Sequence, residues 1–178
     1  MKKTKIVHLI SIGGLLTAIT VLFQSAPIFL PAIGLAFSPF STVPIALAAV
    51  INVFLGFTVL FSSVFILILV SPQEATILLF TTGLLGITLG SLLYRKGLLV
   101  TILASAVVLS LGMIVLTYVA AIPAFVAFTG SYSLHDTLLI FFIFSLVYVS
   151  IWFICLRVFA KHIIKLRLIE KPHYKDTK

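Results

Sequence analysis

The chain has 178 residues, 62% of them hydrophobic and only 9% charged, with a mean hydropathy of +1.33. A water-soluble domain carries roughly 25% charged residues because its outside faces water; this chain has too few to cover such a surface, so lipid is its main solvent. The net charge of +8 invites a nucleic-acid reading, but the positions argue against it: the basic residues are Lys2, Lys3 and Lys5, then Arg95 and Lys96, then seven from Arg157 to Lys178, and none interrupts an apolar segment.

Such clustering is what fixes orientation when Lys and Arg stay on the cytoplasmic side. Lys2, Lys3 and Lys5 precede an apolar run from Ile6 to Phe23, longer than the roughly 7–15 residues of a secretory h-region and without a clean small-x-small site after it. An uncleaved first span over 6–25 is expected. From Ile6 to Gln73 there is no Lys, Arg, Asp or Glu, a stretch of 68 residues. At about 1.5 Å per residue across roughly 30 Å of hydrocarbon, that length accommodates three spans.

Within it, Pro27, Pro31, Pro39 and Pro44 interrupt the helix pattern by removing donors and restricting the residues before them. The segment from Pro27 to Thr42 is irregular yet apolar, which fits either a lid dipping over the outer mouth or a kinked start to the second helix. Ser38-Pro39 has the form of an N-cap followed by proline. From Val43 to Val70 run 28 apolar residues, either one tilted helix or two helices turning near Asn52 and Gly56. Parity decides: six spans put all three basic clusters on one side, whereas five do not. The expected spans are 6–25, 35–52, 55–70, 75–93, 98–122 and 137–157, a compact all-α bundle with both termini in the cytoplasm of a bacterial plasma membrane. A basic tail follows over 161–178, suited to anionic headgroups or a cytoplasmic partner. Tyr94 and Trp152 fall near the inner boundary, where amphipathic rings are favoured.

With that topology, Glu74 and Asp136 are the only charged side chains on the outer side, where a charge near hydrocarbon needs a reason. Ser71-Pro72-Gln73-Glu74 and Ser133-Leu134-His135-Asp136 both carry hydroxyl-x-x-acid spacing, the form of a capping box. Each acid therefore has a capping role and a ligand-facing role open to it. Gln24, Tyr118, Tyr132 and His135 join them as candidate substrate-binding residues. Metal chemistry lacks His-Glu-x-x-His and Cys/His clusters, and Cys155 is the single cysteine, so neither a metal nor another cofactor is expected. Nucleophilic catalysis needs a base beside the nucleophile, and His135 is the one outer histidine. A non-enzyme is the expectation. Thr82, Gly86 and Gly90 form a small-residue ridge on the fourth span; Gly14 and Ala18, beside Gly13 and Thr17, form another on the first. Such ridges serve either packing within the bundle or docking of another membrane subunit.

Six short spans, basic ends, a small-xxx-small first helix and a long first outer loop resemble the substrate-binding S components of energy-coupling-factor transporters. In that family an Ala-x-x-x-Ala ridge on the first helix docks the transmembrane coupling subunit; Gly14-x-x-x-Ala18 is the nearest match here, with glycine in place of the first alanine. The resemblance implies a small-molecule ligand, a vitamin or metal ion, bound near the outer face, uptake driven by partner ATPase subunits, and a gating role for the first outer loop. The first histidine is His8, so the N-terminal histidine of the nickel/cobalt branch is missing, and no particular vitamin pocket is matched. The competing expectation is a non-catalytic scaffolding protein of cell-envelope assembly, whose outer polar residues are caps and nothing more.

Overall fold

The computed structural model describes residues 2–120 and 133–165. The described residues are helical throughout apart from short turns, with no strand among them. Among the described residues six helical stretches are long and apolar enough to cross a membrane: Ile6–Phe29, Ile33–Ile51, Val53–Val70, Pro72–Leu92, Leu98–Tyr118 and Leu134–Phe159. The protein is thus a multi-pass, all-α membrane protein. Lipid offers backbone groups no partner, which is why the chain satisfies them within helices.

The first helix, α1, runs Lys2–Phe29 and carries Pro27 inside it, continuing past the end expected near Ser25. Pro27 sits in the last turn, where it removes the donor for the Phe23 carbonyl just before the helix ends. The chain breaks only at Leu30 (φ −133°, ψ 77°), and α2 (Pro31–Phe37) starts with proline at its first position. This hairpin depends on Gly34, because a methyl there would overlap the Ala26 carbonyl of α1. A tight 3-10 turn, Ser38–Ser41, then leads into α3 (Thr42–Ile51). Of the Pro27–Thr42 segment, the first three residues end α1 and the part from Pro31 onward is a kinked helical start to the second span. The cap expected at Ser38-Pro39 is not made: the Ser38 side chain caps nothing, and Pro39 lies inside the 3-10 turn. Pro31, which pairs with the real chain break, supplies the start instead.

Asn52 alone makes the next turn. Its backbone is extended (φ −155°, ψ 129°) and its side chain accepts from the Phe54 amide at 2.9 Å, capping α4 (Val53–Val70). Gly56 does not turn the chain; it lets α4 approach α3, since a methyl there would meet the Ala49 Cβ at 2.8 Å. The fourth span is composite: α5 (Pro72–Leu78), a wide π-type turn over Leu79–Gly83, and α6 (Leu84–Leu92). α7 (Leu98–Tyr118) and α8 (Leu134–Lys165) complete the bundle.

The short α3 lies at the centre. Ile45, Ala48, Val59, Leu60, Leu67, Leu78 and Ile87 form one apolar cluster around α3, α4 and the fourth span. Ala46, Leu85, Leu89, Leu109, Val149 and Phe153 form another, joining α3 to α6, α7 and α8. Burying both faces of α3 requires close neighbours. Gly86 meets Ile45, Gly90 sits on the Ala46 carbonyl, and Gly112 of α7 sits on the Phe80 carbonyl that the wide turn displaces. The ridge on the fourth span is thus used for packing inside the bundle.

Arg95 and Lys96 lie in the turn between α6 and α7, and Arg157 of α8 reaches the neighbourhood of Tyr94. Gly13 of α1 packs against Leu55, next to the Asn52 turn. These turns and helix ends define one basic face. Burial pushes the Tyr94 phenol upward, and the Arg157 charge offsets part of that rise.

The glycines give opposed expectations. Gly90→Ala must drive α3 and α6 apart and is expected to cost about 1–3 kcal/mol by overpacking. At Gly14 nothing lies within 4 Å of an added Cβ, so Gly14→Ala is expected to stabilise by about 0.5–1 kcal/mol through lower chain entropy. Unfolding of the purified protein in detergent measures both.

Candidate functional site

The end of the bundle opposite the basic face holds a polar knot built from four separate elements. α1 presents one stripe inward: Gly13, Thr17, Thr20 and Gln24 are buried, while Gly14, Leu15, Ala18 and Leu22 face out. Gln24 closes that stripe with no exposed surface. A buried amide in an apolar bundle must find partners for both of its ends.

It finds them on three elements. Gln24 Nε2 donates to Glu74 Oε2 of α5 at 2.8 Å. Gln24 Oε1 accepts from Ser41 Oγ, at the end of the 3-10 turn, at 2.8 Å. Thr82 Oγ1, delivered by the wide turn, lies 3.4 Å from Gln24 Oε1 and 3.2 Å from Ser41 Oγ. The carboxylate fixes the amide's orientation, since it accepts and only the nitrogen end donates. The two turns give the knot its contacts. The 3-10 turn swings Ser41 inward, and the π-type turn, a device common at functional sites, brings Thr82 toward α1. Thr42 Oγ1, next in the chain after Ser41, is fully buried and has no hydrogen-bond partner among the described residues.

The two acids differ. Ser71 Oγ accepts from the Glu74 amide at 3.4 Å, so the first half of a capping box is present. The return half is not: the Ser71 amide donates to Leu67 O at 2.7 Å, and the Glu74 carboxylate turns to Gln24 instead. Glu74 is half-buried, and its second carboxylate oxygen has no hydrogen bond among the described residues. No described cation stands beside it to balance its charge. Asp136 behaves as a local cap. Ser133 Oγ donates to Asp136 Oδ2 at 2.6 Å and also accepts from the Asp136 amide at 3.3 Å, all at an exposed helix start.

Of the other outer candidates, Tyr118 and His135 are exposed, and no hydrogen bond among the described residues joins either to the knot. Tyr132 lies outside the described residues. Ser41 and Thr82 are knot members that the sequence reading did not single out for this role. Thr82 shares the four-residue spacing of Gly86 and Gly90, and Ser41 lies in the Pro-rich segment between Pro27 and Thr42. Their one available signal was hydroxyl chemistry within apolar sequence, a weak one because many buried Ser and Thr here bond a carbonyl three or four residues back, as Thr20 does to Leu16 at 2.8 Å. Among the described residues no group of three or more His, Cys, Asp or Glu is placed to hold a metal.

A second feature faces lipid. Leu16, Ile19 and Phe23 of α1, Phe40, and Trp152 and Cys155 of α8 line an open apolar groove of about 570 Å³. Phe37 stacks parallel on Phe23 at 6.4 Å between centroids, and Trp152 meets Phe40 edge-on at 5.6 Å. Trp152 is thus packed against the start of the second span. Gly14 and Ala18, the candidate docking residues, are both exposed on α1.

In comparisons with known proteins, no family model matches this chain. No curated protein and no solved structure matches it significantly.

Removing the central amide tests the knot. Gln24→Leu leaves Glu74, Ser41 and Thr82 short of partners and is expected to destabilise by about 2 kcal/mol or more. Asp136→Asn keeps a good cap at an exposed site and is expected to stay within about 0.5 kcal/mol of the parent. Detergent unfolding curves of the two variants check the contrast.

Proposed function

We propose that this protein is a membrane transport subunit that takes a small water-soluble substrate at the end of the bundle where Gln24 meets Glu74. The observation that carries the reading is the Glu74 carboxylate: a charge near the hydrocarbon boundary, held by a side chain 50 residues away in sequence, with one oxygen that no hydrogen bond among the described residues engages. A cap would have used its own helix's amides. An ionisable group in such a place is a site by default, and its positioning by a buried, fully engaged amide is how a binding group is kept ready.

The substrate is vitamin-like or a precursor, and partner ATPase subunits drive its uptake, as the resemblance to energy-coupling-factor S components implies. The basic face lies in the cytoplasm, which places Glu74 outside. The open Gly14 and Ala18 face of α1 supports docking of a transmembrane coupling subunit, because small residues permit close helix approach in lipid. The same face also supports the scaffolding alternative, so the distinction between the two rests on Glu74.

The test is ligand-dependent stability of the purified protein across a broad panel of vitamins and their precursors. A true substrate raises stability by RT ln(1 + [L]/Kd), about 2.7 kcal/mol at a hundredfold excess over Kd. Glu74→Gln is expected to abolish that gain while leaving unliganded stability near the parent's. A panel without any stabilising compound, together with affinity purification that recovers no ATPase subunit, contradicts the reading.

A further inference from the structure

We infer that the substrate is an organic cation, bound through a positively charged N–H or quaternary nitrogen against the Glu74 carboxylate oxygen that no described residue hydrogen-bonds. This rests on the transport reading above and adds its charge class.

The argument is one of unbalanced charge. Gln24 supplies a single neutral donor to Oε2, and Ser41 and Thr82 direct their hydroxyls to Gln24 and to each other rather than to the carboxylate. The described side chains thus hold Glu74 in place without neutralising it. On the same end of the bundle the other charged side chain among the described residues is Asp136, also acidic, whereas Arg95, Lys96 and Arg157 belong to the opposite face. The field at this end is negative. It attracts cations and repels anions, and at a low-dielectric boundary both effects exceed their values in water. An anionic ligand would need a cation to meet it; here it would find a carboxylate. A neutral ligand would gain a hydrogen bond but leave the charge as it was. A cation gains a charge-assisted contact and also removes the unpaired charge.

The experiment uses the purified full chain and three sets of small probes: cations (choline, methylguanidinium, N-methylthiazolium, thiamine), anions (nicotinate, pantothenate, benzoate) and neutral compounds (nicotinamide, riboflavin). Binding is read by thermal shift and equilibrium dialysis. The expected result is stabilisation by one or more cations alone, weakening as salt is raised. Glu74→Gln should lower the affinity about 10–100-fold while Asp136→Asn leaves it within about twofold. Stabilisation only by anions or neutral compounds overturns the cation assignment and leaves the transport reading standing. Binding by no probe in this set or in the wider vitamin panel overturns both. Should Glu74→Gln fail to fold, the salt dependence of the wild-type protein decides: cation affinity unmoved by salt contradicts contact with Glu74.

Discussion

Gln24 is a polar side chain with no exposed surface in a bundle whose solvent is lipid, and that constraint organises the end of the molecule where it lies. Water cannot satisfy its amide, so three other elements must. α5 brings a carboxylate, the 3-10 turn brings a serine, and the π-type turn brings a threonine. Each of those elements departs from regular helix, or begins one, near the residue it contributes. The irregularities that interrupt the second and fourth spans thus coincide with the contacts the amide requires.

The close glycine contacts follow from the same geometry. The second span loses part of its length to the α2 segment and the 3-10 turn, which leaves α3 as ten residues at the centre of the bundle. A short helix buried on both sides packs well only if its neighbours come close, and Gly56, Gly86 and Gly90 permit that approach. Gly112 accommodates the Phe80 carbonyl that the wide turn pushes outward. The outer surface of α1 takes no part in this packing. It stays apolar and partly bare, with Gly14 and Ala18 facing out and the aromatic groove alongside.

Much of what depends on local chemistry was legible in the amino-acid order, the Ser38-Pro39 cap and a turn at Gly56 excepted. Apolar length and charge placement gave the helical class and six apolar helices; Asn52 was readable as a turn, and Ser71 and Ser133 as helix starts, because caps act within four residues. Gln24 and Glu74 were both placed near one boundary. Their mutual contact was not readable, because it joins residues 50 apart and depends on how α1 rotates against α5. The hydroxyl-x-x-acid spacing at Glu74 and at Asp136 was the same in form, yet only Asp136 closes its local loop. The difference is tertiary: Glu74 has an amide across from it and Asp136 has none among the described residues. Small-residue spacing was similarly ambiguous. It looks the same on α1 and on the fourth span, but packing consumes the ridge at Gly86 and Gly90 and leaves Gly14 open.

The central claim is that Glu74 is held by Gln24 rather than by its own helix. A double-mutant cycle measures this directly, using Gln24→Met, Glu74→Met and the pair, with unfolding followed in bicelles. The account predicts a coupling energy of about 1 kcal/mol or more between positions 24 and 74, above the roughly 0.6 kcal/mol average for polar pairs in membrane proteins. Additive effects of the two substitutions, within error, would contradict it.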